Sequence, residues 1–162
     1  MSVLIRKAQP GDENLILGFI RELAAYEKLA DEVTATPEHL TRTLFAEAPK
    51  VFALIAERDG AAIGFALYFF NYSTFLGKHG LYLEDLYVRE AARGIGAGTA
   101  LLAELAKIAI SQNCGRMEWS VLDWNAPSIN FYKALGAEAM DEWTVYRLTG
   151  GALSGLAAKA QP

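Results

Sequence analysis

The stretch Arg93-Gly94-Ile95-Gly96-Ala97-Gly98 places three glycines between a segment of strand formers, residues 80–88, and a segment with helical periodicity. Glycine adopts positive φ without strain and lets a ligand approach the backbone closely. At such a junction, exposed backbone N–H groups and the positive end of the helix dipole attract anions. The stretch therefore predicts a binding site for a phosphate-bearing ligand, to which Arg93 can add positive charge.

The glycine spacing can be compared with three further patterns. A P-loop would end in Gly-Lys-Ser/Thr, whereas Gly98 is followed by Thr99 with no lysine. A dinucleotide fingerprint would need a third glycine where Thr99 stands, although Glu118 follows at about the 20-residue distance which that motif expects. A turn that merely joins a strand to a helix is the third alternative.

The chain on either side of the glycine stretch predicts one mixed α/β domain. Apolar residues recur with period 2 or with helical spacing, and turn signals such as Asp59-Gly60 separate them. An antiparallel meander combined with strand-helix-strand crossovers predicts a mixed, mostly antiparallel sheet with helices on both faces. Residues 1–149 form this single domain, and residues 150–162 form a short C-terminal tail. The predicted strands are 3–6, 51–57, 61–72, 80–88, 117–122 and 143–148. A first helix is expected from the break at residues 10–12 to about residue 29, and a second follows a cap by Thr36 and ends at Pro49. A third helix follows residue 98, and a fourth carries Ile129, Tyr132 and Leu135 and ends at a left-handed Gly136.

Composition narrows the classes of partner. The 162 residues include fifteen Lys and Arg against nineteen Asp and Glu, which disfavours nucleic acid as a ligand. No stretch approaches the roughly 20 apolar residues that span a bilayer. The single cysteine, Cys114, excludes an intrachain disulfide, and no targeting segment is visible, so we expect a cytoplasmic protein. His39 and His79 are isolated, and we expect no metal site.

Longer motifs resemble the GNAT acetyltransferase superfamily. The pattern Arg93-x-x-Gly96-x-Gly98 matches its pyrophosphate-binding motif, and residues 81–88 are similar to the strand that precedes that motif. Within the superfamily, residues 22–27, 82–85 and 124–133 resemble the diamine acetyltransferases, such as spermidine/spermine N-acetyltransferase. The resemblance covers residues 3–148. It implies a GNAT fold, acetyl-CoA as co-substrate, a primary amine as acceptor, direct attack in a ternary complex, and a homodimer.

The resemblance also implies roles for individual residues. Tyr132 corresponds to the general acid that protonates the departing coenzyme thiolate; alternatively, it is a core aromatic on one helix face with Ile129 and Leu135. Glu84 corresponds to a carboxylate that helps to deprotonate the amine through water and attracts its charge, and we expect Asp85 to point to the opposite face. A backbone N–H near Leu86 would stabilise the oxyanion. The residues implied in acetyl-CoA binding are Leu86, Tyr87, Val88, Arg93, Gly94, Ile95, Gly96, Ala97, Gly98, Thr99, Asn125 and Ser128.

For the amine, the same resemblance implies a pocket that binds a cation with spaced acidic groups. The substrate is either a polyamine or a shorter lysine-like amine such as thialysine. Glu27 could instead belong to an ordinary solvated helix end, and Asn125 could be an ordinary helix cap. A GNAT enzyme for protein lysine or aminoglycosides, and a noncatalytic acetyl-CoA-binding module, stay as alternatives. The residues implied in amine binding are Tyr26, Glu27, Glu84, Glu118, Trp119, Ser120 and Asp141.

Overall fold

The computed structural model describes residues 2–162. Within these residues the chain forms five strands and five α-helices, with two short 3-10 turns at Ala30–Glu32 and Glu90–Ala92. The strands are β1 Leu4–Lys7, β2 Phe52–Arg58, β3 Ala61–Ser73, β4 Lys78–Val88 and β5 Met117–Trp119. The helices are α1 Glu13–Tyr26, α2 Pro37–Leu44, α3 Ala97–Ser111, α4 Ala126–Ala134 and α5 Gly150–Ala157.

The sheet has the order β1-β2-β3-β4-β5. Three neighbouring pairs are antiparallel, and β4 pairs with β5 in parallel through the crossover helix α3. The predicted mixed, mostly antiparallel sheet is therefore confirmed.

Helices cover both faces of this sheet. On one face, Phe19 of α1 stacks on Phe65 with ring centroids 5.5 Å apart and lies 6.3 Å from the ring of Tyr87. Tyr68 lies three residues after Phe65 on β3, so its side chain points to the other face of the sheet. Burial and the charge of Glu104 in α3 raise the pKa of Tyr68, which shows that α3 lies near it. Because side chains alternate along a strand, α3 covers the second face. We call these surfaces the α1 face and the α3 face.

Several local signals in the sequence produce the expected turns and caps. Asp59 and Gly60 both have positive φ, 53° and 79°, as the tight hairpin between β2 and β3 requires. The Thr36 hydroxyl accepts from the His39 backbone N–H at 3.2 Å, and the His39 ring accepts from the Thr36 backbone in return. Gly136 follows α4 with φ 90°, the left-handed conformation predicted for it.

A three-residue ion cluster fixes β1 against its neighbours. Arg6 binds Asp12 through two nitrogens at 2.7 and 3.1 Å, and its Nε donates to Glu57 at 2.6 Å. The Asp12 carboxylate also accepts from the Gln9 backbone N–H at 2.8 Å. The Arg6 guanidinium therefore holds the pKa of Asp12 below its usual range. This cluster joins β1, the start of α1 and β2.

Two helices end earlier than the sequence pattern predicts. Helix α1 stops at Tyr26 rather than near residue 29, because Lys28 is left-handed with φ 62°. Helix α2 stops at Leu44, several residues before Pro49. Both predicted ends rely on periodicity, which does not reveal where the backbone leaves the helix.

The chain divides into two compact units, one extending to Leu122 and the other covering Asp123–Pro162. The strand predicted at residues 143–148 is wrong, because these residues belong to no helix or strand. Strand β5 ends at Trp119, so the predicted continuation to residue 122 is also absent. Both segments have strand-forming composition but lack a pairing strand, and composition alone does not supply one. Within the predicted tail, Gly150–Ala157 forms a two-turn helix.

Candidate active site

The glycine loop has the open backbone conformation that an anion site requires. Gly94 and Gly96 have φ of 82° and 87°, and a Cβ on either would meet no atom within 4 Å. Gly96 is the N-cap of α3, and the first turn of that helix carries no acidic side chain. The loop is exposed from Gly94 to Gly96. Exposed N–H groups at the start of a 15-residue helix fit a pyrophosphate group.

The edge of β4 beside this loop presents its backbone groups outward. The Arg89 N–H donates to the Ile63 carbonyl of β3 at 2.9 Å. From Arg89 back along β4, residues whose backbone groups bond to β3 alternate with residues whose backbone groups point away from it. The backbone groups of Leu86 and Val88 therefore point away from β3. Within the described chain, β5 pairs with β4 only as far as Leu83. The edge of β4 beyond Leu83 is therefore open in the described chain, and it leaves room for an extended ligand to pair with β4.

A β-bulge lies at the start of that edge. Leu67 pairs with Asp85 while the next residue, Tyr68, pairs with Leu83, so Glu84 is an extra residue on β4. A bulge bends the strand and redirects its side chains, and bulges are frequent beside active sites. The Glu84 side chain is exposed.

Three carboxylates come together next to the bulge, and we call Glu27, Glu84 and Asp85 the acid cluster. Asp85 lies on the α1 face, since its partner Leu67 packs into the core beneath α1. Burial, followed by the charges of Glu84 and Glu27, raises the pKa of Asp85 to about 6. Burial also raises the pKa of Glu27, the C-cap of α1. No salt bridge neutralises any of the three within residues 2–162.

Arg93 links the open edge of β4 to the end of α1. Its Nε donates to the Val88 carbonyl at 2.9 Å. Its guanidinium lies 5.1 Å from the centroid of the Tyr26 ring and 5.9 Å from that of Tyr87. These contacts hold a positive charge beside the glycine loop and position Tyr26 near the same strand end.

Of the residues predicted on β5 for amine binding, Glu118 already has a cationic partner. The Arg116 Nε donates to its carboxylate at 3.1 Å. Ser120 forms a 3.0 Å hydrogen bond with the hydroxyl of Tyr82, whose ring packs 5.1 Å from that of Phe69. Trp119 next to them is half-buried. The charge of Glu118 is thus balanced by Arg116, unlike the charges of the acid cluster.

The unit from Asp123 to Pro162 carries the other predicted residues. Asn125 is buried and caps α4, its side-chain oxygen accepting from the Ser128 backbone N–H at 3.4 Å. Tyr132 is half-buried near the end of α4, and its ring lies 5.6 Å from that of Phe131. No residue of α4 is fully buried. Asp141 is exposed in a turn.

Residues 19–137 match the model of the acetyltransferase (GNAT) family. This chain belongs to the GNAT acetyltransferase family. It is 40% identical to a thialysine N-epsilon-acetyltransferase of Bos taurus, over 97% of this chain and 98% of that protein.

Two further proteins extend the comparison. An L-ornithine N5-acetyltransferase of Arabidopsis thaliana is 34% identical, over 94% of this chain and 86% of that protein. Among solved structures, an integron cassette protein from the mobile metagenome of V. cholerae superposes with a TM-score of 0.80 at 32% identity, covering 99% of each chain. The GNAT fold predicted from the sequence is confirmed.

The sequence resemblance assigns a role to Glu84 but none to Asp85, which the structure places in the acid cluster. Strict alternation along β4 predicts that Asp85 points away from the functional side when Glu84 points towards it. The bulge at Glu84 breaks that alternation, and Asp85 shares the α1 face with Tyr87. The available signal is the Glu84-Asp85 pair itself, since two adjacent acids on a strand leave open which of them the fold buries.

None of the described helices is long and apolar enough to cross a membrane.

Proposed function

We propose that this GNAT enzyme transfers the acetyl group of acetyl-CoA to a primary amine of a small cationic substrate, either a polyamine or a lysine-like amine such as thialysine. The observation that carries the substrate class is the acid cluster of Glu27, Glu84 and Asp85, with no neutralising salt bridge in the described chain. Three carboxylates beside an exposed strand edge attract a compact cation. The named activities of the thialysine and ornithine relatives support the same class.

Acetyl-CoA fits the features found along β4 and the glycine loop. The loop from Gly94 to Thr99 and the start of α3 would hold the pyrophosphate. The outward backbone groups of Leu86 and Val88 would pair with the pantetheine arm, and a backbone N–H there would stabilise the oxyanion. Because Arg93 already donates to the Val88 carbonyl, we assign the Leu86 groups the larger share of this pairing.

The proposed chemistry is direct attack. The neutral amine nitrogen forms a bond to the thioester carbonyl carbon, and the carbon–sulfur bond breaks. The amine loses a proton through water to Glu84, and the coenzyme thiolate takes a proton from the Tyr132 hydroxyl. The Tyr132 role rests on its resemblance to the family motif. Asp85, with a pKa of about 6, is charged at neutral pH and would attract the ammonium group before it is deprotonated.

We further propose that the enzyme is a cytoplasmic homodimer with one catalytic domain over residues 1–149. The resemblance to diamine acetyltransferases supports the dimer. The half-buried Cys114, the only cysteine in the chain, suits a reducing compartment.

The experiment is a screen for release of free coenzyme thiol from acetyl-CoA with spermidine, thialysine, ornithine, an aminoglycoside and a lysine-containing peptide. We expect turnover with one or more of the first three and little with the last two. Fastest turnover with the aminoglycoside or the peptide would contradict the substrate class. Acetyl-CoA binding, seen as a raised Tm, without turnover of any amine would instead identify a noncatalytic module.

A further inference from the structure

Glu22 lies on the same helix as Glu27, but unlike the members of the acid cluster it has a cationic partner. The Nε of Arg89 donates to both oxygens of the Glu22 carboxylate, at 3.2 and 3.1 Å. The same guanidinium donates to the Ala62 carbonyl at 3.1 Å and lies 4.7 Å from the centroid of the Phe19 ring. Arg89 is thus fixed against α1, where it balances the charge of Glu22.

This ion pair lies in line with the acid cluster, on the same face of the sheet. Asp85, Tyr87 and Arg89 follow at every second residue beyond the bulge, so their side chains share the α1 face. A rise of about 3.3 Å per residue places Arg89 about 13 Å from Asp85 along the strand direction. On α1, a rise of about 1.5 Å per residue places Glu22 about 7.5 Å from Glu27. We call the strip from the acid cluster to Arg89 the α1–β4 seam.

Tyr87 lies between the two ends of this seam and responds to the charges along it. Burial, followed by the charge of Glu22, raises the pKa of Tyr87, whereas the charges of Arg93 and Arg89 lower it. The Arg93 guanidinium lies 5.9 Å from the centroid of the Tyr87 ring. The charge of Glu22 therefore acts on the middle of the seam, and the two arginines oppose it there.

Negative charge is consequently unbalanced at only one end of the α1–β4 seam. Within residues 2–162, neither the acid cluster nor Arg93 takes part in a salt bridge, whereas Glu22 is paired with Arg89. At ordinary ionic strength, charges about 8 Å apart still interact, because the screening length is about 8–10 Å. Without Arg89, the carboxylate of Glu22 would extend the negative field of the acid cluster along the seam.

We propose that Arg89 is a specificity-determining residue, which neutralises Glu22 and thereby lowers the preference of the site for amines with many positive charges. This inference rests on the proposed function, because it takes the acid cluster as the amine site. The side chains of Arg89 and Glu22 are 42% and 37% exposed, so their ion pair contributes little to stability. Its main effect is to set the charge that a bound amine meets.

The proposal is tested by the binding of pentylamine, cadaverine and spermidine, which carry successively more ammonium groups. Their dissociation constants are measured by calorimetry without coenzyme, so the readout needs no turnover. Arg89→Met keeps an unbranched apolar chain against Phe19 but leaves Glu22 unbalanced. We expect the affinity for spermidine to rise about tenfold and that for pentylamine about twofold, because the released charge acts on every ammonium group of the ligand.

Compensating charges distinguish this effect from a structural role of the ion pair. Glu22→Gln leaves Arg89 unbalanced and should shift selectivity towards pentylamine. The double variant, Arg89→Met with Glu22→Gln, carries no net charge at the pair, as in the wild type. Its ratio of spermidine to pentylamine affinity should therefore return to within about twofold of the wild-type ratio, whereas two structural losses would add. Arg89→Lys keeps the positive charge and should also keep the wild-type ratio.

Lys107→Met is the matched control on the other face of the sheet. It releases Glu104 of α3 from an ion pair of 3.7 Å and changes the net charge of the protein as Arg89→Met does. The ratio of affinities should stay that of the wild type. An unchanged ratio in Arg89→Met, an equal shift in Lys107→Met, or a wild type and variants that bind none of the amines would overturn the proposal. The expected shifts in a protein that releases no coenzyme thiol would contradict the proposed function alone.

Discussion

The two units of this chain differ in whether they contain a core of buried hydrophobic residues. Every buried hydrophobic residue in the described chain lies between Ile16 and Ala109, whereas Asn125 is the one buried residue after Leu122. The glycine loop, the β4 edge and the acid cluster are thus built on a packed body. Tyr132, the assigned acid, lies on a unit without its own core. This difference suggests that binding and proton transfer can be separated by mutation.

The sharpest test of that separation is Tyr132→Phe. The ring and its packing stay, and only the hydroxyl that would protonate the thiolate is lost. We expect kcat and kcat/KM to fall together by about 100-fold, typical of a missing general acid, with acetyl-CoA binding nearly unchanged. Steady-state thiol release and the ligand-induced shift in Tm measure the two effects.

Tyr146→Phe is the matched control for the lost hydroxyl. It removes a phenol from the same unit at a site that is 92% exposed, and its activity should equal that of the wild type. Full kcat in Tyr132→Phe, under conditions where chemistry limits the rate, would remove Tyr132 from the mechanism.

Gly96→Val should produce the complementary result in the packed body. Gly96 has φ 87°, where a β-branched residue is strained, and the branches would face the bound phosphate. We expect the Kd for acetyl-CoA to rise about tenfold or more, a loss of about 1.4 kcal/mol of binding free energy, because the branches obstruct the phosphate. Equilibrium binding of acetyl-CoA is the measurement.

Gly77→Val controls for backbone strain alone. Gly77 also has positive φ, 63°, and a Cβ added there would also meet no atom within 4 Å, but it lies in the β3–β4 turn. The variant should have a lower Tm and an unchanged acetyl-CoA affinity. Equal loss of affinity in both variants would mean that the glycine loop is not the phosphate site.

Elements that depend on local residues can be predicted from the sequence. The Asp59-Gly60 hairpin, the Thr36 cap and the left-handed Gly136 each require only neighbouring residues, and all three are present. The glycine loop is recognisable for the same reason, since its positive φ values follow from Gly94 and Gly96.

What depends on distant partners cannot be predicted in this way. Residues 143–148 have strand composition but no pairing strand in the described chain, and composition does not identify a partner. The bulge at Glu84 inserts one residue into a period-2 pattern. The face of the sheet predicted for each residue beyond the bulge is therefore reversed. The fold places Asp85 on the α1 face, and the burial that raises its pKa becomes visible only in three dimensions.

Asp85→Asn tests whether the acid cluster serves function at the expense of stability. Losing one charge near the surface should lower kcat/KM for a cationic amine roughly fivefold, the equivalent of about 1 kcal/mol. The folded pKa of about 6 lies above the ordinary 3.8, so the folded state binds the proton more tightly. Wild-type stability should therefore fall as pH rises from about 4 to 6, and the variant should lack this loss.

At pH 7, Asp85→Asn should thus be more stable than the wild type, by about 1–3 kcal/mol in denaturant unfolding. Asp31→Asn, at an exposed position in the 3-10 turn after α1, controls for a general change in net charge. A variant that is less stable at pH 7 would show that Asp85 is a structural carboxylate like Asp12.

Asp12→Asn should show the opposite pH dependence and the smallest effect on catalysis. Asn keeps an oxygen to accept from the Gln9 N–H but loses the charge that pairs with Arg6. The folded pKa of Asp12 is lowered, so its contribution is present above the ordinary pKa and is lost as pH falls through the folded value. We expect the free energy of unfolding to fall by about 1–3 kcal/mol at pH 7, a loss that shrinks towards zero in acid, with kcat per folded molecule unchanged.

Asp59→Asn is the control. Asp59 lies 3.7 Å from Arg58 in an exposed ion pair, so the change should alter stability by less than about 0.5 kcal/mol. If Asp12→Asn were as stable as the wild type at pH 7, or if its deficit grew at low pH, the Arg6 cluster would not be what fixes β1 to α1 and β2.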